Sequence, residues 1–361
     1  MTAPPLRCRD CGAAYADRWR CECGHPLDYA DRPLPDGPAP DPAAFDVRDR
    51  LASFSAFLPE APRVTLGEGM TPLVDADGWD AQFKLEYVLP TGSFKDRGAA
   101  TTVSRAAVLG VDTLVEDSSG NAGAAIATYA ARAGIDAEIY VPASVKDSKL
   151  RAIRRAGATP VRTEGPRRAT TDACVEAVES GAGWYASHAW NPAFLAGTAT
   201  VAYETALRRD WTAPDAMVLP LGHGTLFLGA YRGFRALRDA GWIDSMPRLL
   251  GAQAAGYAPI VAALHGEAAA AGDNDAADGI QIPRPARRDQ ILAAVDATDG
   301  DAIALDAAAV ESTLADLHAA GFYTEPTCAV APAALEEYRE RGVLDADDDV
   351  VVPLTGSGLK T

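Results

Sequence analysis

A regular alternation of short apolar runs and longer amphipathic runs constrains the fold of this chain more than any other feature. Apolar runs of strand length occur at 82–87, 113–116, 137–141, 159–162, 184–187, 216–221, 248–252, 303–305 and 349–354. Helical periodicity predicts helices at 98–109, 123–133, 147–156, 169–179, 197–208, 225–240, 257–264, 307–319 and 331–340. Strands that are connected through helices pair in parallel by right-handed crossovers. The sequence therefore predicts an α/β fold with two open, mostly parallel domains.

The length and the charge of the chain exclude several classes of function. With 361 residues the chain suits two domains, each with its own core. The formal net charge of -17 and the pI of about 4.7 oppose binding to nucleic acid or to anionic membranes, because both would repel the protein. No run reaches the roughly 20 apolar residues of a membrane span, and the N-terminus lacks the apolar core of a signal peptide. We expect a cytoplasmic protein, and its acidic excess is typical of adaptation to high salt.

Four of the six cysteines crowd into the first 23 residues. They form two pairs, Cys8-x2-Cys11 and Cys21-x-Cys23, and a glycine follows each pair. Thiolates that tight turns present suit the tetrahedral coordination of structural zinc, so we predict zinc bound by these four cysteines. The second pair is tighter than the usual spacing. There are therefore two alternatives to zinc bound by four cysteines. His25 could replace one thiolate, or a disulfide could form in an extracellular setting.

Proline dominates the segment 31–47, with five prolines in its first twelve residues. Such a composition favours an extended linker, so we expect residues 1–30 to form a zinc-ribbon-like appendage. The alanine-, aspartate- and glycine-rich stretch 266–289 predicts a surface loop. We expect a larger α/β domain built from residues 48–98 and 205–361, and a smaller one built from residues 99–204.

Lys95 lies in a turn-rich segment directly before a helical pattern. The chain has only five lysines among its 33 basic residues, so a lysine at this position does more than supply positive charge. An amine that loses its proton forms a Schiff base with an aldehyde, and a guanidinium does not. Taken alone, the residue also fits a solvated lysine at a helix start that pairs with Asp96. The loops that follow decide between these interpretations.

The first of these loops precedes the predicted helix 123–133. Ser118, Ser119 and Gly120 leave backbone N–H groups free at a helix N-terminus, which suits an anion such as an amino-acid carboxylate. Asn121 offers its side-chain amide to a ring oxygen. An ordinary helix cap is an equally good interpretation of this loop by itself.

Two further loops follow predicted strands, at the edge where open α/β sheets gather their ligands. The segment Gly222-His223-Gly224-Thr225 combines glycines that permit close approach of the backbone with a hydroxyl, which suits a phosphate monoester. Thr355, after the last strand, offers a neutral hydroxyl to a heterocyclic nitrogen. Tight packing and a simple turn are the alternatives for these two loops.

A Schiff-base amine, a carboxylate loop, a phosphate cradle and a neutral partner for a ring nitrogen together describe a pyridoxal phosphate site. The segment from Pro90 to Gly98 resembles the cofactor-lysine motif of the threonine synthase family. Ser118 to Asn121, the ending from Thr355 to Lys360, and Glu325-Pro326 resemble other landmarks of that family. An N-terminal cysteine segment followed by a linker is also found in it. The resemblance covers almost the whole chain.

This resemblance implies a fold type II pyridoxal phosphate-dependent enzyme that converts O-phospho-L-homoserine and water to L-threonine and phosphate, as a homodimer. It implies that Lys95 binds the cofactor and acts as catalytic acid and base, that Asn121 contacts the ring hydroxyl, and that Thr355 faces the pyridine nitrogen. The implied ligands of the cofactor phosphate are Gly222, His223, Gly224 and Thr225. The implied substrate residues are Ser118, Ser119, Gly120 and His188.

Four positions depart from the family pattern, mostly on the substrate side. Where the family usually has arginine, threonine, asparagine and histidine, this chain has Phe194, Ala122, Leu89 and Ser357. A phosphate dianion needs charged donors, so phosphohomoserine would require charge from His188, Arg97 or Lys84. Three alternatives are a threonine or serine ammonia-lyase, a β-replacement enzyme acting on phosphoserine (cysteate or cysteine synthase-like), and a non-catalytic sensor that keeps the fold.

Overall fold

The computed structural model describes residues 3–30, 34–165 and 167–360. These residues form thirteen strands and eleven α-helices. The strands are β1 (Leu6–Cys8), β2 (Ala14–Tyr15), β3 (Leu27–Tyr29), β4 (Leu73–Ala76), β5 (Ala81–Lys84), β6 (Thr113–Glu116), β7 (Asp136–Pro142), β8 (Thr159–Thr163), β9 (Trp184–Tyr185), β10 (Ala216–Pro220), β11 (Arg248–Ala254), β12 (Asp301–Leu305) and β13 (Val350–Pro353). The helices are α1 (Lys95–Leu109), α2 (Asn121–Ala133), α3 (Asp147–Arg155), α4 (Arg167–Glu179), α5 (Pro192–Leu207), α6 (Thr225–Asp239), α7 (Pro259–His265), α8 (Glu267–Ala270), α9 (Arg288–Asp296), α10 (Ala307–Ala319) and α11 (Pro326–Glu340).

The predicted alternation of strands and helices is confirmed, with differences that have local causes. α5 and α11 begin at residues 192 and 326, earlier than the predicted 197 and 331. In both helices a proline occupies the first helical position, where its fixed φ and missing N–H favour a helix start. The Asn191 side chain supports the start of α5 by accepting a hydrogen bond from the Ala193 N–H at 2.9 Å.

The prediction of a surface loop at 266–289 is wrong in part. This stretch contains α8 and leads into α9, a helix that the sequence did not predict. Asn274 and Ala277 are fully buried, and Ala277 and Ile280 belong to the main apolar cluster of their unit. The small, polar composition of the stretch concealed these buried positions, because alanine and glycine carry little periodic signal.

The chain divides into two compact units. The first contains the described residues of Met1–Pro35, Val47–Glu68 and Lys95–Thr198. Its main sheet is four-stranded and parallel, in the order β8-β7-β6-β9. Apolar side chains of α1, α2 and β7, among them Val103, Ile126 and Ile139, are fully buried in one cluster against this sheet. The carboxyl end of β6 is therefore held rigidly beside α1 and α2.

The second unit contains the described residues of Asp36–Asp46, Gly69–Phe94 and Ala199–Thr361. Its sheet has six strands in the order β12-β11-β10-β13-β5-β4. All neighbours pair in parallel except β4, an unpredicted edge strand that runs antiparallel to β5. Val218, Leu250 and Val330 are fully buried in its core, which fixes α11 against the central strands.

The N-terminal cysteine segment is part of the first unit, although the sequence predicted an appendage. β1, β2 and β3 form a small antiparallel sheet in the order β2-β1-β3. Leu6 and Leu27 of this sheet share an apolar cluster with Ala193 and Ala196 of α5. Because these side chains exclude water together, the segment is joined to the unit by its own apolar face.

A buried guanidinium strengthens this attachment. Arg105 of α1 is fully buried and pairs with Asp17 at 3.1 Å and with Glu60 at 2.8 Å. It also donates to the carbonyl oxygens of Pro4 and Ala16 at 3.2 and 3.1 Å. The helix that begins at Lys95 is thus tied to the cysteine segment by the ion pair between Arg105 and Asp17.

The predicted linker is also held in place where the structure describes it. Residues 31–33 lie outside the described residues, but Asp36–Asp46 belongs to the second unit. The indole N–H groups of Trp211 and Trp242 donate to the carbonyl oxygens of Pro40 and Gly37, at 2.7 and 2.9 Å. The predicted domain boundaries at residues 98 and 204 stay a prediction. Among the described helices, none has the length and apolar character that a membrane span requires.

Candidate active site

Lys95 is the first residue of α1 and follows a loop whose backbone is hydrogen-bonded to another loop of the chain. The Phe94 N–H, one residue before it, donates to the Thr355 carbonyl oxygen at 3.1 Å. Ser93 forms a bridge with Gly356, and the Ser357 N–H donates to the Gly92 carbonyl oxygen at 2.9 Å. The loop that ends at Phe94 is therefore bound to the last loop of the chain, within the second unit.

The predicted carboxylate loop lies between β6 and α2. Gly120 is the N-cap residue of α2, and Asn121 is its first residue. The Gly120 N–H donates to the Ser118 hydroxyl oxygen at 3.3 Å. A Cβ at Gly123 would lie 1.8 Å from the Ser118 carbonyl oxygen, so only glycine permits this close return of the loop. Ser118, Ser119, Gly120 and Asn121 thus form one helix N-terminus, which favours anions.

Asp117, at the start of this loop, accepts two side-chain hydrogen bonds that hold the loop in place. Its two carboxylate oxygens accept hydrogen bonds from the Tyr185 hydroxyl at 3.0 Å and from the Thr171 hydroxyl at 2.6 Å. The partners lie on β9 and α4, so three elements fix the start of the loop. Sequence reasoning did not single out Asp117, although its place at a strand end was visible.

His188 is buried and paired with a carboxyl group that sequence reasoning missed. Its Nδ1 lies 2.7 Å from Glu116 Oε1, and its backbone N–H donates to Glu116 Oε2 at 3.2 Å. Burial raises the pKa of Glu116 well above its ordinary value, and the adjacent Asp117 carboxylate raises it further. Burial lowers the pKa of His188 to about 3, and the positive charges of Lys95 and Arg167 act in the same direction. Burial therefore disfavours the charged form of both partners.

Phe194 occupies the core and not the surface of the site. Its ring is fully buried, and a Cβ at Gly98 would lie only 2.3 Å from it. Gly98 is thus required for the ring to pack against the first turn of α1, immediately after Lys95. The His188 ring packs edge-on against the same phenyl ring, with centroids 6.0 Å apart. An apolar ring replaces the cation that the family pattern suggests at this position.

One of the cations that were considered for the missing charge, Lys84, has another role. Lys84 is fully buried and pairs with Glu204 at 2.9 Å and donates to the Thr71 hydroxyl at 2.6 Å. Glu204 in turn accepts from the backbone N–H groups of Met70 and Thr71. The charge of Lys84 is therefore neutralised within its own unit. Arg97 is also fully buried in the first turn of α1.

The predicted phosphate loop connects β10 to α6 in the second unit. Gly224 has a φ of +74 and is the N-cap residue of α6, a helix of 15 residues that begins at Thr225. A Cβ at Gly224 would lie 2.5 Å from Ile291 of α9, and one at Gly222 would lie 3.1 Å from Ile280. Gly224 is required by its positive φ and by the contact with Ile291, and Gly222 is favoured by the contact with Ile280. The front of the loop presents backbone N–H groups at a helix N-terminus, which fits a phosphate.

Thr355 follows β13 and is buried. Its backbone N–H lies 3.1 Å from the Sγ of Cys328 in α11. Burial raises the pKa of the Cys328 thiol to about 12, so the thiol is uncharged. A Cβ at Gly356 would lie 2.1 Å from the Glu325 carboxylate, which therefore packs directly against the loop. Sequence reasoning noted Glu325 as a landmark but did not place it beside Thr355.

The four N-terminal cysteines come together in the structure. All four Sγ atoms of Cys8, Cys11, Cys21 and Cys23 lie within 4.8 Å of one another. The sulfurs of Cys8 and Cys23 are 3.6 Å apart and those of Cys11 and Cys21 are 3.4 Å apart, too far for a disulfide. His25 Nδ1 contacts Cys23 Sγ at 3.4 Å and lies in a second group with Asp10. Four thiolates therefore suffice for a tetrahedral site without His25.

Known proteins resemble this chain over most of its length. Residues 64–356 match the model of the family described as pyridoxal-phosphate dependent enzyme. The threonine synthase of Methanocaldococcus jannaschii is 31% identical, over 98% of this chain and 92% of that protein. The threonine synthase of Methanosarcina acetivorans is 33% identical, over 85% of this chain and 79% of that protein.

The chain belongs to the threonine synthase family of pyridoxal-phosphate dependent enzymes.

Solved structures show that this family member has the fold type II architecture. Maize serine racemase matches 80% of this chain and 88% of its own, with a TM-score of 0.66 and 21% identity. A processed threonine deaminase from Solanum lycopersicum matches 80% of this chain and 79% of its own, with a TM-score of 0.67 and 21% identity. The predicted fold class and cofactor class are thus confirmed, and the protein is a pyridoxal phosphate-dependent lyase.

Proposed function

We propose that the protein is a threonine synthase, which converts O-phospho-L-homoserine and water to L-threonine and phosphate. The observation that carries the proposal is the match to curated threonine synthases at 31% and 33% identity, over 98% and 85% of the chain. A cytoplasmic location and a homodimeric state are part of the same proposal. Four clustered free thiols support a reducing compartment.

The residues present fit pyridoxal phosphate. The cofactor's aldehyde would be held by the amine of Lys95, and its phosphate by the backbone of Gly222, His223 and Gly224 and the Thr225 hydroxyl. A side chain at Gly224 would meet Ile291, so this loop packs its backbone closely against α9 and adds no side-chain atom at this position. When bound, the cofactor supplies an electron sink that stabilises negative charge at the substrate Cα. Lys95 would take the Cα proton and return it.

The remaining residues orient the ring and the substrate in this proposal. Asn121 would donate to the ring hydroxyl, and Thr355 would face the pyridine nitrogen with a neutral hydroxyl. Ser118, Ser119 and Gly120 would bind the substrate carboxylate at the N-terminus of α2. Ser118 and Thr355 are both buried, and the Ser118 hydroxyl accepts from the Gly120 N–H within the same loop.

The test is turnover by the purified, cofactor-loaded protein in high salt. We expect release of phosphate and formation of threonine from O-phosphohomoserine, and loss of both in Lys95→Ala. Threonine, serine and phosphoserine serve as competing substrates. Formation of 2-oxobutyrate from threonine without any phosphate release from phosphohomoserine would refute a synthase.

One observation favours a threonine or serine ammonia-lyase as the second candidate. Phe194 fills its position with an apolar ring packed on Gly98, and Lys84 is neutralised by Glu204. A substrate with an uncharged hydroxyl would not need the charge that these positions lack. The 2-oxobutyrate assay distinguishes the two activities directly.

We also propose that the N-terminal segment binds zinc. A tetrahedral site with Zn–S bonds of about 2.3 Å requires sulfurs about 3.8 Å apart, close to the measured 3.6 and 3.4 Å. The metal would be structural, since four thiolates leave no open position. Elemental analysis should find one zinc per chain, and a metal-free, fully folded protein would refute this assignment.

A further inference from the structure

Trp19 lies between the two cysteine pairs of the N-terminal segment, and neither the proposed zinc site nor the proposed cofactor site uses it. Its side chain is half-buried and packs edge-on against two aromatic rings of the same unit. The ring centroids of Trp19 and Tyr185 are 5.4 Å apart, at an interplanar angle of 84°. Those of Trp19 and Trp190 are 5.3 Å apart, at an angle of 86°. Edge-to-face pairs at such distances are favourable beyond the area that they bury.

Tyr185 connects this indole to the loop that contains Ser118. It is the last residue of β9, a strand of only two residues that pairs with β6. Tyr185 is buried, and its hydroxyl donates to Asp117 Oδ1 at 3.0 Å, directly before Ser118. So short a strand is held weakly by its backbone pairing. The contact with Trp19 therefore helps to fix the Tyr185 ring and the hydroxyl that binds Asp117.

Trp190 connects the same indole to the turn that contains His188. The backbone N–H groups of Trp190 and Asn191 donate to the Ser187 carbonyl oxygen, at 3.3 and 2.9 Å. These bonds close a tight turn, and the Asn191 side chain supports the start of the helix that follows. Because the Trp190 ring packs on Trp19, the turn is held against the cysteine segment.

Polar contacts of its neighbours in sequence hold Trp19 in place. The Arg20 guanidinium lies 4.4 Å from the centroid of the Trp19 ring and pairs with Glu179 at 2.7 Å. Asp17 accepts a hydrogen bond from the Trp184 indole N–H at 2.7 Å. Glu179 is the last residue of α4 and Trp184 is the first of β9, so the segment is attached to two elements around the indole.

We propose that Trp19 is a positioning residue, whose indole aligns the two segments that the proposed function assigns to the substrate. These are the Ser118 loop, which it reaches through Tyr185, and the His188 turn, which it reaches through Trp190. The inference rests on the proposed function for this assignment. The N-terminus of α2 holds a substrate carboxylate only while the Ser118 loop keeps its geometry. Loss of the indole should therefore weaken substrate binding and leave the phosphate loop of the second unit unchanged.

Steady-state kinetics of two cofactor-loaded variants test this role. Trp19→Ala removes both aromatic contacts, and we expect it to raise the KM for O-phosphohomoserine about 10- to 100-fold, with a smaller change in kcat. Trp19→Phe should restore the KM to within about threefold of wild type, because a phenyl ring still packs edge-on. In both variants the affinity for pyridoxal phosphate should stay near wild type. An unchanged KM in folded Trp19→Ala, or an equally large loss of cofactor affinity, overturns the proposal.

Trp79→Ala is the matched control for the loss of aromatic packing. Trp79 is also half-buried and contacts two rings of the second unit, those of Phe83 and Phe322, at centroid distances of 5.2 and 6.3 Å. We expect this variant to lower the Tm about as much as Trp19→Ala and to leave the KM unchanged. A comparable rise in KM in the control would show that a general loss of packing is sufficient, and would overturn the proposal.

A double variant tests the route through Tyr185. Tyr185→Phe keeps the ring that contacts Trp19 and removes the hydroxyl that donates to Asp117. If Trp19 acts through this hydroxyl, the rise in KM of the double variant should be smaller than the product of the rises in the two single variants. Effects that simply multiply would overturn the alignment of the Ser118 loop by Trp19.

Calorimetry with L-α-aminobutyrate separates the role of Trp19 from the reaction itself. This amino acid has a carboxylate but neither a phosphate nor a hydroxyl, so its binding does not depend on the leaving group. We expect its Kd to rise at least about 10-fold in Trp19→Ala. That result without turnover of phosphohomoserine by the wild-type enzyme would refute the proposed function and support the positioning role. Normal turnover with an unchanged Kd in Trp19→Ala would overturn the positioning role alone.

Discussion

Arg105→Met should weaken the first unit and, through it, the helix that begins at Lys95. The fully buried guanidinium forms ion pairs with Asp17 and Glu60, whose side chains are 25% and 11% exposed. Removing one partner of a buried pair costs about 3–5 kcal/mol. Because Asp17 retains some contact with water, we expect the lower end, about 3 kcal/mol, and a fall in Tm of about 6–12 °C.

Thermal unfolding followed by tryptophan fluorescence measures this effect. The indole of Trp184 donates to Asp17 at 2.7 Å, so the probe reports on the attachment itself. Arg154→Met on α3 is the control, since Arg154 is exposed and should change the Tm little. Burial already raises the pKa of Glu60 in spite of Arg105. The deficit of Arg105→Met should therefore shrink at mildly acidic pH, where Glu60 becomes neutral.

A double variant provides the decisive comparison. Glu60→Gln in the Arg105→Met background removes one stranded charge and should recover part of the lost stability, although Glu60→Gln alone destabilises the wild-type protein. If Arg105→Met unfolds within about 2 °C of wild type, the buried pair does not hold the cysteine segment to α1 and the reasoning is refuted.

Three further predictions concern the glycine loop, the cysteines and the buried lysine. Gly224→Ala should lower the affinity for pyridoxal phosphate in a titration, because its Cβ would meet Ile291. The control is Gly241→Ala, at a similar φ of +72 in open space, which should cost only about 1–2 kcal/mol of stability and leave that affinity intact. Equal affinities of the two variants for pyridoxal phosphate would contradict the steric argument. Cys21→Ser should lose bound zinc in elemental analysis and lower the Tm, and retention of a full equivalent would exclude a four-cysteine site. Lys84→Met should lower the free energy of unfolding in denaturant by about 3–5 kcal/mol, because it leaves Glu204 buried without a cation. An unchanged free energy of unfolding would show that water reaches the pair of Lys84 and Glu204.

Much of the fold was predictable because its signals are local. Strand β6 and helix α10 have the predicted bounds, since β-branched runs and helical periodicity depend only on neighbouring residues. Helix α9 was missed because the alanine- and aspartate-rich stretch before it was interpreted as a loop, although its buried residues Ile291, Ala294 and Val295 follow helical spacing. α5 and α11 were predicted too short, although the proline at which each helix begins fits the first helical position.

Some residues of the candidate site could be recognised from local sequence, and others only from the structure. The motifs around Lys95, Ser118 and Gly222 contain the residue types that the cofactor chemistry needs in short segments, so they could be recognised without coordinates. Glu116 gave no such signal, because a glutamate at the end of a strand is usually solvated. Its importance arises from contact with His188, 72 residues further along the chain.

By itself the sequence determined the α/β class, the family and the cofactor class, because these depend on periodicity and on contiguous motifs. Only the tertiary structure decided that Lys84 is neutralised by Glu204, that Arg105 holds the cysteine segment, and that Glu116 contacts His188. The physical reason is that the charge of a side chain depends on its solvation and its partners, and folding assigns both.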